Sequence, residues 1–242
     1  MLRINNEIFL QFIEKVSLRG LIDEFSLIFD VDGCKTRCHN DSSTVLVVAL
    51  LKKEAFSEYS AIKDRISFSG SGKLLSLLRN IRGDIEIDVD LEKNVAKFKS
   101  FGSGLKISII TVPLLDNEYS SSYSPTKVNL TYSGSFVLRA DFFESLLKFS
   151  KTIGDTNAVM KCSGNKLTTM IGNSKMVNVK SEHDISYKDF MICLGMPFFI
   201  VLPVLTLPVS VSASTDYPLT LLESNDNFKV KYIIAPMMES DK

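Results

Sequence analysis

EIFLQFIEKVSLRGLIDEFSLIFDVDGCKTRCHNDSSTVLVVALL, residues 7–51, carries one helix and three strands in a single line. Phe9, Phe12, Ile13 and Val16 recur at helical spacing, which predicts an amphipathic helix stopping near Gly20. Beyond it the period changes to two. A strand is expected from Phe25 to Val31, followed by Asp32-Gly33, a strong hairpin signal between alternating runs. A second strand then reaches Cys38, residues 40–43 turn again, and a third strand runs from Val45 to Leu51.

The same order returns three more times without its letters. A helix over 72–81, apolar at Leu74, Leu75, Leu77 and Leu78, precedes strands at 85–89, 95–99 and 105–110. Asp141 is expected to cap a helix through Phe142, Phe143, Leu146, Leu147 and Phe149, with strands at 158–162, 167–171 and 176–179 behind it. The fourth copy is degraded: a short, proline-interrupted helix near Phe198 leads to strands at 208–213, 218–222 and 228–234. Two copies make a half, and a Ser- and Tyr-rich stretch joins the halves. The expected organisation is an N-terminal domain over 1–112, a connector over 113–133 and a C-terminal domain over 134–242. The fold class is α+β, with helices on one face of antiparallel sheets.

Composition excludes several alternatives. Twenty-eight basic residues balance 28 acidic ones, so bulk positive charge cannot be what holds a nucleic acid. A few cations on one surface remain compatible with that balance. The start, MLRINNEIFLQFIEKV, has charges inside its apolar stretch and does not read as a signal peptide. Cys34, Cys38, Cys162 and Cys193 are too few for a disulfide scaffold at 242 residues, which suggests an intracellular protein with reduced thiols. Residues 190–215 contain no charge and are long enough to suggest a membrane span. Pro197, Pro203 and Pro208 interrupt them, and VSVSAST alternates, so a buried helix followed by a strand is the expected reading.

Catalytic signatures are missing. GSGK at 70–73 lacks both the preceding Gly and the following Ser or Thr of a phosphate loop, since Ser67 and Leu74 stand there. It reads as a turn entering a helix. Cys34, Cys38 and His39 have no second ligand cluster, and on a strand the two thiols face the core. His183 has no nucleophile pattern near it. The expectation is a non-enzyme with no metal and no cofactor.

YPLTLLESNDNFKVKYIIAPMMES near the C-terminus, DSSTVLVVALLKKEAFSEY at 41–59 and FFESLLKFSKTIGD at 142–155 together resemble the DNA sliding clamps of the proliferating cell nuclear antigen (PCNA) family, the first looking like that family's closing signature. DSSTVLVVALLKKEAFSEY and FFESLLKFSKTIGD are similar to its Asp-Ser-Ser segment and to its second-domain helix, and PTKVNL at 125–130 is similar to archaeal clamps in particular. The resemblance implies a processivity factor: three subunits in a ring around double-stranded DNA, helices lining the hole and sheets outside. The ring would bind DNA by topology and without sequence specificity. Implied partners are DNA polymerase, clamp loader, flap nuclease and ligase, which dock short motifs, together with other clamp subunits in a homo- or heterotrimer. The implied location is intracellular and DNA-associated, in archaeal cytoplasm or nucleoid, or in a nucleus, with no membrane role.

The residues follow by position. Lys15, Arg19, Lys73, Arg79, Lys148 and Lys151 are the DNA-facing candidates, the first and last pairs sharing a helix face at i,i+4 and i,i+3. The partner pocket would comprise Val45, Val128, Leu130, Pro218, Ile233, Ala235 and Pro236, with Ile233 where the family often has an aromatic. The subunit edges would be Leu105, Ile107 and Ile109 on one side and Met176, Val177 and Val179 on the other. One departure stands out: the last helix, MPFFIVLPVL, is entirely apolar where the family usually carries lysine. It keeps open an unlike subunit of a heterotrimeric clamp, a checkpoint-type clamp, or a membrane-associated β-rich protein anchored by 190–207.

Overall fold

A computed structural model describes residues 2–62, 65–101, 109–115, 129–172 and 179–237. The chain forms two compact units, Met1–Asp41 with Val47–Thr126 and Ser224–Val230, and Ser42–Leu46 with Lys127–Glu223 and Lys231–Lys242.

In the first unit the order is β1 (Leu2–Asn5), α1 (Asn6–Val16), β2 (Phe25–Asp30), β3 (Gly33–His39) and β4 (Val45–Lys52), whose first two residues belong to the second unit. Then come β5 (Phe56–Glu58), β6 (Ile66–Phe68), α2 (Ser71–Leu78), β7 (Asp84–Asp90), β8 (Val95–Phe101) and β9 (Ile109–Pro113). The second unit holds β10 (Phe136–Leu138), α3 (Ala140–Ile153), β11 (Ala158–Ser163), β12 (Lys166–Ile171) and β13 (Val179–Asp184). It continues with β14 (Phe190–Leu194), α4 (Met196–Val201), β15 (Val209–Ser212) and β16 (Leu219–Ser224), whose last residue belongs to the first unit. Strand β17 (Phe228–Ile234) gives its first three residues to the first unit and the rest to the second.

Each of the four helix-plus-three-strand repeats is thus preceded by a short strand that the sequence did not reveal. These opening strands are exchanged. β1 pairs antiparallel with β7 of the second repeat, Ile4 opposite Ile85, while β6 pairs with β2 of the first, Phe68 opposite Phe25. In the second unit β10 pairs with β15, Phe136 opposite Val211, and β14 with β11, Ile192 opposite Met160. Each repeat therefore completes the other's sheet, and the two fold as one unit. Leu2 and Ile4 are fully buried, so β1 joins the core as well as the ladder.

Local chemistry explains the turns. A Cβ on Gly33 would sit 2.1 Å from the Leu51 carbonyl oxygen, and its φ of 137° lies outside what L residues favour, so the hairpin needs glycine. In the first unit α1 and α2 run antiparallel. Asn6 Nδ2 donates to Leu78 O and Ile81 O, both at 2.9 Å, satisfying carbonyls at the end of α2. At the other end Gly20 approaches Gly72 so closely that a Cβ would lie 3.2 Å from its Cα. In the second unit the fully buried Glu223 accepts from the Thr206 and Leu207 amides at 2.7 and 2.8 Å, fixing the chain after α4.

Several expectations are corrected. Helix α1 ends at Val16 and not near Gly20, because Ser17 Oγ turns back onto Ile13 O and Leu18 and Arg19 take positive φ. Asp141 lies in the first turn of α3, while the capping position is Arg139, which makes no side-chain cap bond. The described part of the expected 105–110 strand is β9, and the described part of the expected 176–179 strand is β13, which continues to Asp184. Residues 190–215 open with a strand, and the helix that follows spans only six residues. Among the described residues no helix is long and apolar enough to cross a membrane.

Candidate functional site

Three surfaces carry the candidate residues. On the helices, Lys73 is exposed in the first turn of α2, and Lys148 and Lys151 are exposed three residues apart on α3. Arg79 is exposed, with its guanidinium 2.7 Å from Glu14 Oε1. Lys15 is only 3% exposed and its Nζ lies 5.6 Å from the Phe228 ring centroid, so it is packed, not presented. Arg19 is exposed but lies beyond the end of α1 with a φ of 59°. The expected shared face of Lys15 and Arg19 is therefore absent. Helix α4 contributes no charge; Met196 is its exposed side chain, and Phe198 and Phe199 are buried.

The second surface is a pair of strand edges, one in each unit. Strand β9 pairs with β8 and ends the order β5-β1-β7-β8-β9, with Ile109 58% exposed. Strand β13 pairs with β12 and ends the order β13-β12-β11-β14, with Val179 half-buried opposite Ile171. Beside β13 lies a hollow of about 290 Å³ lined by Asp141, Phe142, Ser145, Leu146 and Phe149 of α3 and by Ser181 and His183. The His183 ring stands edge-on to Phe142 at 4.9 Å, and its Nε2 is 2.9 Å from Ser181 Oγ. Bonds from the Lys166 and Lys180 ammonium groups hold the Glu182 carboxyl down at about 2. Leu105, Ile107, Met176 and Val177 lie outside the described residues.

The third surface lies in the second unit. Val45 is fully buried and Ile233 8% exposed, while Leu130, Pro218, Ala235 and Pro236 are half-buried; Val128 lies outside the described residues. Ala235 N–H donates to Thr44 O at 2.9 Å and Met237 N–H to Cys193 O at 2.8 Å, so the C-terminal segment is tied at two points. A Cβ on Gly195 would come within 2.6 Å of Met237 Sδ. Sequence reasoning missed Tyr132, whose hydroxyl donates to Pro218 O at 2.6 Å and lies 2.9 Å from Thr220 Oγ1, with the Tyr217 ring edge-on at 5.4 Å. The serine- and tyrosine-rich composition of the connector was the only sign of it.

Among the described residues no three His, Cys, Asp or Glu side chains come together as a metal site. Cys34 and Cys38 are buried, as their strand positions suggested, and burial pushes both thiols up, Cys38 to about 12.

No protein-family model matches the chain. It is similar over 161 residues, at 29% identity, to the DNA polymerase sliding clamp of Methanoregula boonei, a match covering 64% of this chain. The chain spans 60% of that relative's length in the match. Among solved structures, PCNA of A. fulgidus bound to the C-terminal region of FEN-1 superimposes with a TM-score of 0.84, at 16% identity and with 100% of both chains covered. The fold is that of PCNA. The PCNA2–PCNA3 complex of Sulfolobus tokodaii gives 0.80 at 18% identity, covering 97% of this chain and 98% of that one. The resemblance to PCNA read from the sequence is borne out, and so is the α+β class.

Proposed function

We propose that this chain is a subunit of a DNA sliding clamp, a processivity factor that encircles duplex DNA and tethers DNA polymerase and other replication and repair enzymes. The observation that carries the reading is the likeness to PCNA along the whole chain. Two different sheet edges, β9 and β13, suit head-to-tail association, because pairing unlike edges gives a closed ring when the rotation closes. Exposed Ile109 of one copy would approach Val179 and the hollow beside α3 of the next, where Phe142, Leu146 and Phe149 offer apolar surface among polar neighbours. Arg19, Lys73, Lys148 and Lys151 would touch phosphates without reading bases, which permits sliding. Lys15 is not part of this surface.

Partner enzymes would dock short segments over Val45, Leu130, Pro218, Ile233, Ala235 and Pro236, combining a pocket with main-chain bonds. A complex between PCNA and the C-terminal region of FEN-1 supports that mode by analogy. A second reading, an unlike subunit of a heteromeric ring, is favoured by α4, which offers no cation. The PCNA2–PCNA3 complex is a precedent on the same fold.

Light scattering of the purified chain across a concentration series decides between the readings. A mass near three times 27.0 kDa supports the homotrimeric clamp. A monomer that enters a ring only when companion subunits are added supports the heteromeric one, and a monomer that assembles with nothing on DNA counts against both.

A further inference from the structure

The hollow beside α3 borders β13, the last strand of its sheet, so it lies at the edge through which a ring would close. Strand alternation puts Ser181 and His183 on the face toward α3, and Lys180, Glu182 and Asp184 on the opposite face. His183 is exposed, and its ladder partner on β12 is the fully buried Leu167. Its ring lies edge-on to Phe142, and its Nε2 meets the Ser181 hydroxyl at 2.9 Å. Both contacts are with neutral groups.

The charges around His183 are already matched. Asp141 and His183 are the ionisable side chains that line the hollow, and Asp141 is paired with the Arg139 guanidinium. On the far face Glu182 is held by Lys166 of β12 and by Lys180, and Asp184 stands opposite Lys166. The strand that would cover the hollow brings no anion either. Residues 102–113, which contain β9, include one lysine and no carboxylate. On the adjacent β8, Lys97 stands opposite Thr111, and Lys99 stands opposite Ile109 and is bonded to Glu86 at 2.9 Å. An imidazolium closed into this contact would lose water without gaining a counter-ion, whereas a neutral imidazole would pack against Phe142 without that cost.

We infer that His183 makes ring closure sensitive to acid: a proton on its imidazole loosens the contact between β13 of one copy and β9 of the next. The inference rests on the ring reading above. Histidine is the side chain that ordinarily changes charge between about pH 5 and about pH 8. The assembled state disfavours the charged form, so assembly is fully present above that window and is lost as pH falls through it. Each interface excludes at most one proton, which caps the loss in its association constant at about tenfold per pH unit. A closed trimer has three such interfaces, so the losses multiply. His39, the other histidine of the chain, belongs to neither β9 nor β13 and has its Nδ1 2.9 Å from Asn40 O.

The test is sedimentation velocity of the full chain across a concentration series at about pH 7.5 and about pH 5.5, at fixed ionic strength, with circular dichroism confirming the fold at both. The concentration for half-assembly should rise roughly tenfold or more on acidification. His183→Gln cannot take up the proton, so its midpoint should be the same at both pH values, while His39→Gln should keep the full shift. His183→Arg carries a permanent charge and should assemble poorly already at about pH 7.5, a comparison that needs no acid. If the unmodified chain assembles equally at both pH values, or if His183→Gln keeps the shift, the role of His183 is wrong and the ring stands. If His183→Arg assembles at about pH 7.5 as the unmodified chain does, a charge in the hollow is tolerated and the inference fails. A chain that stays monomeric at every pH and concentration defeats the homotrimeric reading, and the inference with it.

Discussion

Cys34 and Cys38 face the core from β3, and Cys38 Sγ lies 3.7 Å from Val16 O at the end of α1. Burial raises both thiols, Cys38 to about 12, because a thiolate there would lose its hydration. An exposed cysteine in the unfolded chain ionises near pH 8.5, as an order of magnitude for a free thiol. Above that pH the unfolded chain has released protons that the folded chain keeps, so stability falls as pH rises. The contribution is fully present below about pH 8 and declines by up to about 1.4 kcal/mol per pH unit for each thiol on the way to the folded value. Urea midpoints at about pH 7.5 and about pH 10 should therefore differ, and Cys38→Val should narrow the difference. Tyr59 is also raised, by burial first, but its ordinary value of 10.0 puts its share at the upper end of that window. A Cys38→Val variant with the full pH dependence of the parent would remove Cys38 as the cause.

The elements that organise this fold are the shortest ones. LRIN, ISF and FVL open three of the repeats, and three or four residues are too few to show a period of two. FMICL does alternate, with Phe190, Ile192 and Leu194 buried, but the apolar run behind it concealed where strand gives way to helix. The helices and the longer meander strands were legible because each buries one face over six or more residues, as Phe9, Phe12, Ile13 and Val16 do on α1. The burial of Lys15 was not, since the ring covering it, Phe228, comes from the far end of the chain. Tyr132 escaped for the same reason: its partners Pro218 and Thr220 are distant in sequence, and local pattern carries no long-range contact. Exchange of the opening strands makes a specific prediction. Ile4 is fully buried and pairs with Phe56 on one side and Ile85 on the other. Ile4→Ala should cost about 3 kcal/mol in urea unfolding and speed hydrogen exchange along β7, in the other repeat, while Arg3→Ala on the opposite face should cost under about 1 kcal/mol. Protection of β7 left intact in Ile4→Ala would mean that the repeats are not coupled through this strand.

At the scale of the whole molecule the formal charge is zero, so any hold on DNA must come from where the cations stand. Of the candidate cations, Arg19, Lys73 and Arg79 in the first unit and Lys148 and Lys151 in the second are exposed, and Arg79 is engaged by Glu14. A clamp built from this chain would bind duplex DNA weakly and with a salt dependence set by those few groups, each phosphate neutralised adding about 0.9 to the slope of log K against log salt. Retention on closed circular DNA would be a different property, since a ring cannot leave a circle without opening. The double variant Lys148→Ala with Lys151→Ala separates the two. Its affinity for a short linear duplex, followed from about 50 to about 300 mM salt, should fall, and its slope should be shallower by up to about 0.9 for each phosphate no longer neutralised. Its retention on a nicked circle after loading should match that of the unmodified protein, and both should run off once the circle is cut. Unchanged affinity and slope would take α3 off the DNA-facing surface. Loss of retention on the circle would show that charge, and not closure, keeps the protein on DNA.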